Sequence, residues 1–197
     1  MKHISIEGMD GVGKSTICSL LAARLNYKFV EKPLHYLLDD SDNEIYQYQK
    51  IAKRVNANSN RNFTAWYYGL NNIYLYEKFK DQNIVTDRHI VSNYCWSGTN
   101  YNMDIYDLIL KKIGKPKLTV ILYASPDVIL ARLKNRNIND SDISKVEKNE
   151  KVYERMIYFC EIKKMEYIVL NTNHKTPNEI VELIVQRIEE LDANECR

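Results

Sequence analysis

The sequence is short of cysteine, of charge asymmetry and of long apolar runs, and each shortage narrows what the chain can be. Its four cysteines, Cys18, Cys95, Cys160 and Cys196, stand far apart with no C-x-x-C pair. That spacing argues against a disulfide framework or a cysteine-based zinc site and fits a reduced, cytoplasmic setting. Lys plus Arg number 28 and Asp plus Glu 26, a surplus too small to gather a nucleic-acid polymer or an anionic membrane. Any anionic ligand must then be held locally. Nowhere do about 18 apolar residues run together, as a membrane span would need. The opening Met1-Lys2-His3-Ile4-Ser5-Ile6 offers neither the apolar core of a signal peptide nor an Arg-rich presequence. His35 and His174 have no partners at metal-ligand spacing, so no metal role is expected of them.

What remains is a 197-residue chain with 45% apolar and 27% charged residues. That length and balance suit one domain over residues 1–197 with a continuous core. Short apolar runs at His3 to Glu7, Lys28 to Glu31, Asn83 to Thr86, Lys117 to Tyr123 and Tyr167 to Leu170 read as strands. Several are unbroken, the pattern of parallel strands covered on both faces. Segments of helical periodicity lie between them, so the expected fold is α/β, three layers around a central parallel sheet.

Ser125-Pro126 and Thr176-Pro177-Asn178-Glu179 read as helix starts, the second with capping-box spacing. Gly114 should close an amphipathic helix begun at Met103, in the left-handed conformation. Residues 137–149 form a polar, charged stretch between two helical segments and are expected to be a mobile flap. A helical lid over roughly 132–150 follows, with Lys145, Lys148 and Lys151 as solvated helix charges.

Gly8-Met9-Asp10-Gly11-Val12-Gly13-Lys14-Ser15 matches G-x-x-x-x-G-K-[ST], follows an apolar strand and precedes a helical run from Thr16. Glycines let successive backbone N–H groups turn inward, and the following helix adds its positive N-terminus, so the segment is an anion cradle. This is the P-loop arrangement for ATP: Gly8, Asp10, Gly11, Val12, Gly13 and Thr16 surround the phosphates, Lys14 reaches the β- and γ-phosphates, and Ser15 places its hydroxyl on Mg²⁺. No N-K-x-D base-reading motif accompanies it, which argues against a GTPase. Ile84-Val85-Thr86-Asp87-Arg88-His89 puts an acid and a base at a strand end, where parallel sheets present ligand-binding groups. Asp87 there suits magnesium-bound water and Arg88 a phosphate; a structural ion pair is the competing reading.

The run Glu7 to Thr16 resembles the P-loop of thymidylate kinases, with its strand-end glutamate and Asp-Gly. Asp87-Arg88-His89-Ile90-Val91-Ser92, followed by Gly98, resembles that family's D-R-[YH]-x-x-S segment. Ala131-Arg132-Leu133-Lys134-Asn135-Arg136 is similar to its lid arginines. The resemblance implies a P-loop NTPase fold with a helical lid, homodimerisation, and transfer of the ATP γ-phosphate to a nucleoside monophosphate, most simply dTMP. Lys14, Asp87, Arg88, Arg132 and Arg136 would then surround the transferred group. Gly11 stands where one branch of the family carries arginine, which implies a catalytic cation supplied from the lid. For Arg136 a solvated surface charge is the competing reading.

The acceptor side is more open. Val30-Glu31-Lys32-Pro33 departs from the family's R-E-P-like segment and also resembles the Glu-Pro region of deoxynucleoside kinases. Glu31 would there be general base for a sugar 5′-hydroxyl, whereas Lys32 would suit an acceptor phosphate. Within Phe63 to Asn72, Tyr67 or Tyr68 stands where the family stacks an aromatic on the base. Four residues later it carries an arginine, and this chain has Asn71 and Asn72. Core packing is the competing reading for these aromatics. Asp10 resembles the family aspartate near the acceptor sugar, or serves to organise the loop. His89 and Trp96 are assigned no chemistry. Three readings stay open: a nucleoside monophosphate kinase, a deoxynucleoside kinase using Glu31, and a non-catalytic nucleotide-binding homologue.

Overall fold

The computed structural model describes residues 1–38, 44–137 and 141–195. Five strands, β1 (His3–Gly8), β2 (Lys28–Glu31), β3 (Ile84–Asp87), β4 (Leu118–Tyr123) and β5 (Tyr167–Asn171), form one parallel sheet in the order β2-β3-β1-β4-β5. Every residue of β1 is buried, and all of β4 but Tyr123, as central strands between two helix layers require. Val169 on edge strand β5 is 44% exposed.

The helices among the described residues are α1 (Lys14–Leu25), α2 (Glu44–Asn56), α3 (Arg61–Phe79), α4 (Ile90–Ser97), α5 (Met103–Ile113), α6 (Pro126–Arg136), α7 (Asn149–Ile162) and α8 (Pro177–Glu195). Helices α1 and α8 pack together on one face of the sheet; α4 and α7 cover the other, with α3 against α4 and α5. None is long and apolar enough to cross a membrane. Cys18, Cys95 and Cys160 are buried free thiols; Cys196 lies outside the described residues.

Local chemistry sets the boundaries. Thr176 and Glu179 form the expected reciprocal box, Thr176 N–H donating to Glu179 Oε2 at 2.7 Å and Glu179 N–H to Thr176 Oγ1 at 3.3 Å. Ser125 makes no side-chain cap; its N–H instead donates to Asn173 Oδ1 at 2.9 Å, tying the start of α6 to the loop after β5. Gly114 ends α5 at φ 77°, as a glycine can, but its ψ of −170° puts it in a glycine-only conformation outside the expected left-handed turn.

Packing that positions the site centres on α4. Tyr94 stacks on Phe159 of α7 at 4.4 Å between ring centroids, with Tyr106 of α5 edge-on to both. Arg155 donates to the carbonyls of Tyr94, Cys95 and Gly98, satisfying acceptors that the helix C-terminus leaves open. On the outer side of α3, Phe63, Trp66, Leu70 and Ile73 form an exposed apolar stripe.

Candidate active site

The loop from Gly8 to Ser15 leaves the carboxyl end of β1 and enters α1, at the end of the parallel sheet where such sheets bind ligands. Only glycine fits its entry: Gly8 sits at φ 138°, and a Cβ there would lie 2.5 Å from the Leu122 carbonyl oxygen of β4. Gly13, at φ 98°, turns the chain into α1 with nothing within 4 Å of a hypothetical Cβ, so its backbone is open to close approach by a ligand. Val12 is buried beneath the loop, and Thr16 is exposed on the first turn of α1.

Lys14 is only 6% exposed. Its ammonium donates to Met9 O at 2.8 Å and lies 3.5 Å from Asp10 Oδ1. Burial, aided by the Arg88 guanidinium, pulls its pKa below the usual lysine value. Asp10 is held well below the usual carboxylate range, because Arg88 and Lys14 outweigh the burial that opposes its charge. Ser15 Oγ donates to Asp87 Oδ2 at 2.7 Å. That pair of oxygens on facing elements is the donor chemistry a hard divalent cation takes, and the cradle's open Gly13 backbone suits a polyphosphate, so these residues fit ATP with magnesium.

Arg88 occupies φ 72°, a left-handed conformation that side-chain-bearing residues adopt at a cost. Its Nη1 donates to Gly8 O at 3.0 Å and to Ser92 Oγ at 3.3 Å, and Nη2 to Asp10 Oδ1 at 2.7 Å. Arg88 thus makes a structural ion pair, with Asp10 on the loop, and also lines the adjoining cavity. Glu7 sets this turn. It is fully buried and accepts from Ser5 Oγ at 2.7 Å, His89 N–H at 2.9 Å, Ser92 N–H at 3.2 Å and the Ser92 hydroxyl. Burial raises its pKa against the pull of those donors. The strand-end carboxylate thus caps α4 and locks the Arg88 turn to the phosphate loop.

Next to the loop opens a cavity of about 390 Å³, walled by Asp10, Asp87, Arg88, His89 and Ser92 at the loop end. Lys32, Tyr68, Asn71, Asn72 and Asn93 line it further out, with Tyr48, Asn56, Arg61, Trp96 and Lys145. Tyr68 is in this wall and Tyr67 is not; Tyr67 stands edge-on to Tyr68, with ring centroids 5.1 Å apart. Asn72 is 2% exposed. Glu31 lies outside the wall, its Oε2 2.5 Å from Lys32 Nζ. Lys32 adopts φ 45°, which ends β2 and swings its side chain back toward that carboxylate.

The lid region departs most from expectation. Residues 138–140 of the expected flap lie outside the described residues. Ser141–Lys148 forms a 3-10 segment packed on α6 and α7. Arg132 does not face the cavity: its guanidinium donates to Gly11 O and Val12 O, both at 3.4 Å, and to Thr172 Oγ1 and O at 3.0 and 2.8 Å. It braces the outside of the phosphate loop. Arg136 is largely exposed, 3.4 Å from Asp142. Among the described lid residues the cation that lines the cavity is Lys145, paired with Asp142 at 2.6 Å and, as expected, still solvated, its side chain 45% exposed. Sequence reasoning also passed over Arg61, Tyr48, Asn56 and Asn93, and assigned no chemistry to His89 and Trp96, which line the cavity too. For Arg61 a signal existed, since it precedes Tyr68 by seven residues and shares its helix face.

Within that wall, His89 is buried, and neither of its ring nitrogens has a hydrogen-bond partner among the described residues. Its ring lies 4.6 Å from that of His3, which is bonded to Tyr76 OH and Thr86 Oγ1. Burial lowers the pKa of His89 to about 3, and burial with the nearby His89 lowers that of His3. Both rings fold neutral and bind protons only when the chain unfolds. Their contribution is complete above the ordinary histidine pKa of about 6.5 and falls as pH drops toward the folded values. Between pH 7 and pH 5, His89 alone should remove about 2 kcal/mol of stability. Urea unfolding at the two pH values tests this; His89→Leu should flatten the difference, and an equally steep loss in that variant would rule out His89 as its source.

A family model described as thymidylate kinase matches residues 6–184. The chain belongs to the thymidylate kinase family. It is a phosphotransferase of the nucleoside monophosphate kinase type, and the family implies ATP as donor, typically with Mg²⁺. A probable thymidylate kinase of Methanococcus maripaludis is 25% identical over 196 residues, covering 95% of this chain and 94% of that one. A putative adenylate kinase of Pyrococcus abyssi is 28% identical over 182 residues, covering 92% and 81%. Among solved structures, thymidylate kinase from Candida albicans superposes with a TM-score of 0.67 at 17% identity, covering 96% of this chain and 91% of that one. Deoxyadenosine kinase from M. mycoides with bound dATP superposes with a TM-score of 0.61 at 19% identity, covering 95% and 99%. At such identities these two likenesses are of fold, the P-loop kinase fold expected for this member of the thymidylate kinase family.

Proposed function

We propose that this chain transfers the γ-phosphate of ATP to a deoxynucleoside monophosphate, dTMP foremost, in the cavity beside the phosphate loop. The observation that carries the reading is the charge of that cavity. Lys32, Arg61, Arg88 and Lys145 line it against two carboxylates, Asp10 and Asp87, that are already engaged by Arg88 and Ser15. A wall so supplied with cations suits an acceptor that arrives with its own phosphate. A nucleoside acceptor would need Glu31 as base, and Glu31 is clasped by Lys32 outside the wall.

Bound ATP and magnesium supply the transferable phosphoryl group and neutralise part of its charge. The chain's own residues position and stabilise. Lys14 turns its ammonium from Met9 O toward the phosphates, Ser15 and Asp87 hold the cation, and Arg88 bridges the loop and the acceptor phosphate. Catalysis then rests on placed charge. The segment over roughly 132–150 acts as the lid, with Lys145 as the cation it brings to the reacting phosphates; its closure excludes water and limits wasteful hydrolysis of ATP. The exposed stripe on α3 supports a homodimer.

ATP with magnesium, offered to a panel of nucleosides and nucleoside monophosphates with products identified by mass, tests the reading. Diphosphate should appear from dTMP, and Glu31→Gln should leave its rate within a few-fold. Conversion of nucleosides to monophosphates, abolished in Glu31→Gln, would replace this reading with a nucleoside kinase.

A further inference from the structure

Side chains hold the carbonyls of the phosphate loop, and each bond also aims the peptide N–H that follows. Arg88 takes Gly8 O and Lys14 takes Met9 O, while Arg132 takes both Gly11 O and Val12 O. In a trans peptide the C=O and N–H point in opposite directions. With Gly11 O and Val12 O turned onto Arg132, the N–H groups of Val12 and Gly13 face the other side of the loop, and no hydrogen bond occupies either among the described residues. Such successive free amides are what a phosphate loop wraps around its anion.

Two features bring Arg132 to this position. Gly11 lies directly on α6, where a Cβ would stand 3.1 Å from Ile129 Cγ2 and from Leu133 Cγ, so loop and helix meet with no side chain between them. Thr172, buried just past the end of β5, anchors the guanidinium: its Oγ1 accepts from Nη1 at 3.0 Å and its carbonyl from Nη2 at 2.8 Å. The Thr172 hydroxyl lies 3.2 Å from both Val12 O and Tyr123 O. Its one hydrogen can serve only one of them, and Tyr123 O is already satisfied by Thr172 N–H at 2.8 Å, which leaves it for Val12 O.

We infer that Arg132 and Thr172 are positioning residues of the phosphate loop, which fix from outside the amides that bind the donor's phosphates; Arg132 acts through Gly11 and Val12 and not by touching the nucleotide. The inference rests on the loop being the ATP site, whatever the acceptor. A cradle set beforehand spares the cost of ordering it when the anion arrives. Its amides meet the non-transferred phosphates alike before and during transfer, so the gain falls on donor affinity and not on kcat. A cation placed over the moving phosphoryl group would act on kcat instead. An arginine laid on the base would act only on nucleotides.

Arg132→Met keeps the unbranched stem and removes the donors; Thr172→Val keeps the shape and removes the hydroxyl. Titration calorimetry gives the affinity for magnesium tripolyphosphate, which has phosphates but no sugar or base, and for ATP with magnesium. These dissociation constants belong to the folded fraction alone, so partial misfolding of a variant does not disguise the result. Arg132→Met should weaken both ligands by the same factor, about tenfold. With dTMP as acceptor, KM for ATP should rise in step while kcat stays within about threefold. Thr172→Val should weaken both ligands by several-fold, and the double variant should lose less than the product of the two single losses. Loss of ATP affinity with tripolyphosphate binding intact, loss of kcat with binding intact, or no change in either variant overturns the inference and leaves the kinase reading standing. An unaltered chain that binds neither ligand overturns both.

Discussion

Lys14→Ala should lower kcat by about three orders of magnitude while leaving the melting temperature within a few degrees of the unaltered chain. The kinetic loss follows from where the ammonium sits. It is buried over the phosphate loop, 2.8 Å from Met9 O, in surroundings where placed charge is worth far more than in water. Stability should barely change, for two reasons that oppose each other. Truncation leaves a small cavity and removes a partner of Asp10, but Asp10 keeps Arg88 at 2.7 Å. The ammonium itself is held against a desolvation cost, visible in its lowered pKa. Steady-state kinetics and a thermal melt on the same preparation check both halves. Near-normal turnover would remove the phosphate-loop assignment, and a collapse in melting temperature would mean that Lys14 is chiefly structural.

The strands and the phosphate loop were legible because both are written in local sequence. The unbroken run from Leu118 to Leu122 can only be a strand covered on both faces, and the glycine spacing from Gly8 to Gly13 marks a backbone that turns onto a ligand. The cavity beside the loop was only partly legible, because it is assembled from elements far apart in sequence. Tyr48 and Asn56 come from α2, Arg61 from the first turn of α3 and Lys145 from the lid. The lid arginines show the limit most plainly. Their four-residue spacing places Arg132 and Arg136 near one helix face, but spacing does not say what that face meets. Long side chains then diverge, Arg132 onto the loop carbonyls and Arg136 toward Asp142. At Glu31 and Lys32 the missing information was a backbone angle. A strand would alternate the two side chains, whereas φ of 45° at Lys32 folds its amine onto the glutamate.

Arg88→Lys preserves the charge and should still lower kcat/KM for the acceptor by about 10² or more. The guanidinium spans two directions at once, Gly8 O and Ser92 Oγ through one nitrogen and Asp10 through the other. A lysine ammonium is a single point without the planar fork, so it cannot serve both directions in this geometry. The loss should fall on the acceptor, since Arg88 lines the cavity from the turn after β3 while the donor cradle is built by backbone N–H groups and Lys14. ATP affinity, measured by binding, should therefore move by no more than a few-fold. Stability should fall as well, by about 1–3 kcal/mol, because Asp10 exchanges a charge-assisted bond for the more distant Lys14. That weaker pairing should raise the pH at which Asp10 takes up its proton, so acid unfolding should begin earlier in the variant; the group's folded pKa lies below its unfolded one, and its contribution is lost as pH falls. Arg88→Gly supplies the complementary readout: it relieves the φ of 72° and so should recover part of the stability, about 1 kcal/mol, without recovering activity. Full acceptor turnover in a folded Arg88→Lys protein would show that position, not the forked geometry, is all the reaction asks of this residue.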